Sequence, residues 1–190
     1  SSSNKIFTLL YAGSINSKRQ NPNLIFEAVE RCIAQKAIPK EQFQLCFLGS
    51  NPQDFAKFKL ESLKQVSFSI EKRLPIRDAL CKQMEAAALL LLTYPNEVGV
   101  LTCKVFDYLG AGRPILGVPD DGGDISALLK STGAGVCCST VEEICQTLVK
   151  WYNQWKDDRE FNLERNDREI AKHTRQHQAR QLAEILNTLN

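Results

Sequence analysis

Apolar residues come along this chain in two rhythms that take turns. Ile6–Ala12, Phe43–Leu48, Leu89–Thr93 and Ile115–Val118 are short runs with few polar interruptions, the makeup of strands buried on both faces. Val66–Ile70 alternates like a strand, and Gly135–Cys138 closes the set. Between these runs the apolar positions fall three and four apart, as on one face of a helix. Leu24, Ile25, Ala28, Val29, Cys32 and Ile33 mark such a face within 23–36. Similar faces run through 76–87, where Pro75 suits a first turn, through the segment opened by Lys104, and through 125–131 and 140–155. A short helix is predicted over 54–64 and two further helices over 159–189. Strands separated by helices predict an α/β domain: a Rossmann-like, doubly wound parallel sheet of about six strands with both faces covered.

Composition narrows the partners. Hydrophobic residues make up 43% of the chain, enough for a real core, and no internal repeat divides it. The 24 basic and 22 acidic residues are interspersed and leave a formal net charge of +2, which predicts neither a nucleic-acid nor an anionic-membrane partner. Seven cysteines form no CxxC pair, and the two histidines, His173 and His177, lie far along the tail. That spacing argues against a zinc site, so no metal ligands are assigned. Cys32, Cys46, Cys81 and Cys103 fall in apolar-periodic segments as small hydrophobes, and a reducing, cytoplasmic setting is expected. There is no signal-peptide pattern and no apolar run long enough to span a membrane. Residues 1–5 read as an edge outside the fold, with the domain running over 6–172. A chain that starts abruptly on a core strand is expected to be cut from something longer.

Candidate chemistry gathers at one edge. Gly13, Gly49 and Gly99 fall at or just after the C-terminal ends of strands. Ligands of open parallel sheets bind beyond those ends. Gly13-Ser14…Lys18-Arg19…Pro22 is neither a GxGxxG fingerprint nor a P-loop. It offers a glycine and two cations, either for a diphosphate, where Arg19 brings a bidentate fork, or simply as a solvated basic loop. Lys104 and Asp107 stand three apart in the first turns of a helix that stops at Gly112-Arg-Pro114. Unpaired amides there attract anions. Amides and Lys104 would suit phosphate and Asp107 ribose hydroxyls; the alternative is an ordinary surface ion pair. No Ser/His/Asp or Cys/His set and no acid–base pair of carboxylates stands out, so the chain reads as holding a substrate rather than attacking it.

Gly13-Ser14…Lys18-Arg19…Pro22, the stretch Gly99-Val-Leu-Thr-Cys-Lys104-Val-Phe-Asp107-Tyr-Leu-Gly-Ala-Gly112-Arg-Pro-Ile-Leu116, and Leu129…Gly133-Ala-Gly135-Val together resemble the C-terminal domain of GT-B glycosyltransferases. The likeness is to the retaining group-1 (family 4) type that builds surface and exported polysaccharides, and it covers 6 to about 155. It implies a nucleotide-sugar donor site, hexosyl transfer, and no cofactor or obligatory metal. Carried over residue by residue, Gly13 and Ser14 would lie near the phosphates. Arg19 or Lys18, with Lys104, would neutralise the diphosphate; Arg19 and Lys104 would be the catalytic pair. Asp107 would accept from the ribose hydroxyls, where the family usually has Glu. The amides of Val100, Leu101 and Thr102 would face phosphates and sugar, and the base would rest near Arg73 and Leu74. Gly99 stands where the family's first acid would be, with Glu97 two positions off. The resemblance also implies a partner, the N-terminal acceptor domain of the same enzyme. Residues 173–190 would form a helix crossing back to it, and any peripheral membrane contact would come only through it. A non-catalytic binding domain on the same fold is the alternative. A sugar-nucleotide epimerase would need further carboxylates and histidines, and a flavodoxin-like receiver an acidic cluster where Gly13-Ser14 stands.

Overall fold

The computed structural model describes residues 6–95, 99–158, 161 and 163–188. Six strands form one sheet: β1 Phe7–Ala12, β2 Phe43–Leu48, β3 Ser67–Glu71, β4 Ala88–Leu92, β5 Ile115–Val118 and β6 Gly135–Cys137. Their order is β3-β2-β1-β4-β5-β6 and every neighbouring pair is parallel. The doubly wound expectation holds, and the residue patterns explain the order. The strands with uninterrupted apolar runs, such as β4 with all five residues buried, take the middle. The mixed sequence of β3 takes an edge, where half its surface stays wet.

Seven helices connect and flank the strands: α1 Asn23–Ala34, α2 Ile76–Glu85, α3 Cys103–Ala111, α4 Asp124–Thr132, α5 Val141–Asp158, α6 Asp167–Lys172 and α7 Arg175–Thr188. α1 and α5 pack together over an aromatic core that includes Phe7, Phe26, Phe47, Phe55, Trp151 and Trp155. On the other face α3 and α4, with the end of α2, cover an aliphatic cluster that includes Leu10, Leu89, Leu91, Val105, Leu109 and Leu129. The sheet is wound outward in both directions from the β1–β4 pair. Its topological switch point therefore lies at the ends of those two strands.

Three expectations need correction. Residues 54–64 do not form an α-helix but two short 3₁₀ turns, Pro52–Phe55 and Leu60–Ser62. An Asn51–Asp54 capping box and Pro52 start the first turn, and Phe55 and Phe58 both pack into the aromatic core. Cys81 and Cys103 are exposed rather than core positions, since their helices turn other faces inward. Strand and helix ends elsewhere shift by one to three residues, and the tail begins its second helix at Arg175. All seven cysteines are free thiols. Among the described residues no helix is long and apolar enough to cross a membrane.

Candidate functional site

The end of β1 sets the geometry. Gly13 takes a φ of +118° and its amide donates to Leu48 O at 2.7 Å, tying the end of β1 to that of β2. Ser50 Oγ donates to Gly13 O at 2.7 Å from the next loop. On the other side, Ala12 N donates to Tyr108 Oη at 2.8 Å, which seats the first turns of α3 on the strand end. Tyr108 is fully buried, and burial raises its hydroxyl pKa far above the ordinary tyrosine value.

That bond decides where Lys104 goes. Lys104 and Tyr108 are four apart and share a helical face. With Tyr108 fixed on β1, the Lys104 ammonium comes to lie 3.7 Å over the Tyr11 ring. It also packs against Gly13, where an added Cβ would sit 3.1 Å from Nζ. Gly13 is needed twice over, for its backbone angle and for its missing side chain. The surface ion pair with Asp107 is not formed, and no carboxylate pairs with Lys104 among the described residues. Burial, with no compensating anion, pushes its pKa from an ordinary 10.5 down to about 7.

Asp107 turns the other way and is exposed on the wall of a cleft of about 310 Å³. Ala12, Gly13 and Ser14 bound this cleft from β1, Leu48 and Gly49 from β2, Arg73 and Leu74 from the loop after β3, and Ile76, Ala79, Leu80 and Gln83 from α2. Five of the sequence-predicted residues, Gly13, Ser14, Arg73, Leu74 and Asp107, thus meet around one space, with Lys104 directly behind Gly13. Gly49, at φ +83°, completes its floor and donates to Glu71 O at 2.9 Å.

Other predicted residues lie outside that wall. Lys18 and Arg19 are exposed on the loop after β1, with the Arg19 guanidinium 4.5 Å from the centre of the Tyr94 ring. Gly99, Val100, Leu101 and Thr102 lead into α3. The Gly99 amide donates to Asp124 Oδ2 at 2.7 Å, Leu101 is exposed, and Thr102 Oγ1 is buried without a partner. Glu97 falls outside the described residues.

Two glutamines matter that sequence reasoning passed over. Buried Gln20 accepts from Asn16 N at 2.9 Å and Tyr11 Oη at 3.3 Å, and donates to Leu92 O at 2.6 Å. It shapes the basic loop and ties it to the end of β4, at the switch point. A lone Gln in a polar loop gives no signal of this. Gln83 lies buried in the cleft wall with its Oε1 unpaired. Its signal was legible: a polar residue on the helical face of Ile76, Ala79 and Leu80, which lines the cleft.

Among the described residues, one group has the makings of a metal site, Asp120, Asp121 and Cys137, whose ligand atoms lie within 4.8 Å of one another. Its carboxylates are already employed. Asp121 accepts from the amides of Gly123, Ile125 and Ser126, and Asp120 from Gly122, so the pair caps α4. Burial, followed by the two aspartates, pushes the Cys137 thiol up to about 12.

No family model and no curated protein sequence matches the chain. Solved structures do match its fold. WaaG, a glycosyltransferase involved in lipopolysaccharide biosynthesis, superposes with a TM-score of 0.54 at 16% identity, over 80% of this chain and 40% of its own. Anabaena Alr3699/HepE, solved in complex with UDP-glucose, gives 0.54 at 14%, over 81% and 40%. A Listeria monocytogenes protein assigned as a UDP-N-acetylglucosamine 2-epimerase gives 0.50 at 13%, over 80% and 37%. The chain therefore shares the fold of one part of these proteins and spans 37% to 40% of their length.

Proposed function

We propose that this chain is the donor-binding half of a GT-B glycosyltransferase, which moves a sugar from a nucleoside-diphosphate sugar to an acceptor. One observation carries the reading. At the C-terminal ends of β1 and β2, a cleft gathers Gly13, Ser14, Arg73, Leu74 and Asp107, and directly behind Gly13 lies a half-buried ammonium that lacks a counterion. A diphosphate supplies that counterion, and one fold neighbour solved with UDP-glucose supports the same reading.

The roles follow from chemistry. Lys104 and the first amides of α3 stabilise the charge that develops on the leaving diphosphate. Arg19 swings from the loop to join them, its fork suited to phosphate oxygens. Ser14 and the Gly13 turn let the phosphates approach the backbone. Asp107 accepts from ribose hydroxyls, and Arg73 and Leu74 border the base. Fixed cations and dipoles supply this stabilisation without a metal. The acceptor is held by a second, N-terminal domain, and the finer reading is retaining hexosyl transfer into surface or exported polysaccharide. A binding module that has kept the fold without the chemistry is the second reading. It is favoured by Gly99, which stands where the resemblance has a carboxylate.

Calorimetry with UDP, GDP and ADP tests the donor site. Half a site, without closure by a second domain, should bind in the high micromolar to millimolar range, about 4–6 kcal/mol. No heat with any of the three at several times the top of that range sinks the reading. Transfer or donor hydrolysis by the chain joined to an acceptor domain would exclude the non-catalytic alternative.

A further inference from the structure

Gln83 is only 5% exposed, yet its Oε1 has no hydrogen-bond partner. A buried amide oxygen without a donor destabilises a fold, and a methionine of the same length would pack here without that cost. The residue sits about two turns beyond Ile76 on α2. Helical side chains lean back toward the helix N-terminus, so its amide is carried up toward the cleft that it helps to wall. Leu48, Leu74, Ile76, Ala79 and Leu80 give the cleft an aliphatic part, beside the polar Ser14, Arg73 and Asp107. Aliphatic side chains with one buried amide among them suit a flat heterocycle, whose faces want aliphatic contact and whose edge carries donors and acceptors. They suit neither a sugar nor a phosphate, whose oxygens would be left unpaired against those side chains.

We propose that Gln83 is the residue that reads the nucleobase of the bound nucleoside diphosphate, an inference that rests on the donor-site reading above. A Gln amide presents one donor beside one acceptor. It pairs with the N–H beside a carbonyl in uracil, or with the amino group beside a ring nitrogen in adenine. A carboxylate at the same place offers acceptors alone. It fits an edge with two adjacent donors, which guanine presents with its ring N–H and amino group.

The test uses the 190-residue chain, with Gln83→Met and Gln83→Glu, titrated with UDP, ADP, GDP and inorganic pyrophosphate. Gln83→Met should weaken the tightest nucleoside diphosphate by about tenfold or more and leave pyrophosphate within about twofold. Its unliganded melting temperature should equal or exceed that of the parent, since an unpaired amide has been removed. Gln83→Glu should raise the ratio of GDP to UDP affinity by about tenfold or more. Nucleotide binding by Gln83→Met equal to that of the parent overturns the inference while leaving the donor site standing. So does a parent that binds nucleotides no better than pyrophosphate. A melting temperature clearly lowered in Gln83→Met would show the amide to be paired in the folded chain, and also overturns it. A parent that binds none of the four removes the donor site and this inference together.

Discussion

On the α1–α5 face of the sheet, Phe47 meets the rings of Tyr11, Phe26, Phe55 and Phe68 at 5.0 to 6.2 Å, and Trp155 stands edge-on to Phe7 at 5.5 Å. On the opposite face, helices α2 and α3 cover smaller aliphatic side chains. All three buried side-chain atoms without a partner among the described residues lie on that side: Gln83 Oε1 on α2, Thr102 Oγ1 at the start of α3, and Nη1 of Arg165, which bonds to α3 through Leu109 O. The unpaired ammonium of Lys104 belongs to α3 as well. Among the described residues, one face pairs its buried polar side chains and the other leaves some unpaired. Of these, Gln83 Oε1 lies in the cleft wall and the Lys104 ammonium directly behind Gly13, where a ligand would satisfy both.

The largest effect should come from the closed face. Phe47→Ala removes a fully buried ring from the centre of four others and should cost about 3–5 kcal/mol in denaturant unfolding. Nucleotide affinity of the fraction that stays folded should not change. A comparable loss of affinity would mean that the two faces are not separable.

Lys104→Met should act with opposite signs on the two properties. Nucleoside diphosphate binding should weaken by about 2–3 kcal/mol, because a charged partner of the phosphates is gone. Stability without ligand should instead rise, on the order of 1 kcal/mol at pH 6, after allowing for the partial exposure of the ammonium and its contact with Tyr11. The sign depends on pH. Below about 7, folded and unfolded chains both carry the Lys104 proton, and the full cost of burying the charge is present. Between about 7 and 10.5 the unfolded chain holds the proton and the folded chain does not, so the parent gains stability as pH rises through that window. The advantage of Lys104→Met should therefore fade toward pH 10 in chemical denaturation series. An advantage that is flat with pH would show that the ammonium is not desolvated.

Asp107→Ala sits lower on the scale. It should weaken nucleotide binding by about 1.5 kcal/mol through lost ribose contacts and change stability by less than about 0.5 kcal/mol, since the carboxylate is exposed. Normal binding by this variant would remove the ribose role. Smallest is the proton linkage of the site itself. A diphosphate restores the Lys104 charge, so binding at pH 8 should take up a fraction of a proton and weaken as pH rises above 7. Calorimetry in buffers of different ionisation heat reads this directly; no buffer dependence would place the ligand away from Lys104.

The sheet was legible because its strands are uninterrupted apolar runs, and the helices between them force parallel connections. The strand-end glycines and the Lys104–Asp107 spacing pointed to the edge at which the cleft opens. What spacing could not say was which way each side chain turns. Residues 104 and 107 share a helical face, but the bond from Ala12 N to Tyr108 rotates α3 so that one enters the strand end and the other the cleft. The 54–64 segment was misread for a related reason: Phe55 and Phe58, three apart, suit a helix and a 3₁₀ turn equally, and the aromatic core they fill decides between them. Gln20 was silent because its bonds to Tyr11 and Leu92 join residues brought near by the fold, and the one to Asn16 alone is local.

An amide-resolved NMR titration of the chain with UDP, GDP and ADP tests the proposed nucleoside-diphosphate site at the end of β1. Saturable shifts are expected at Gly13, Ser14, Gly49, Leu74 and the first turn of α3, including Lys104, with the residues of the α1–α5 core unmoved. No shifts near Gly13 or Lys104 at several times the millimolar upper bound expected for half a site, with any of the three nucleotides, would contradict it.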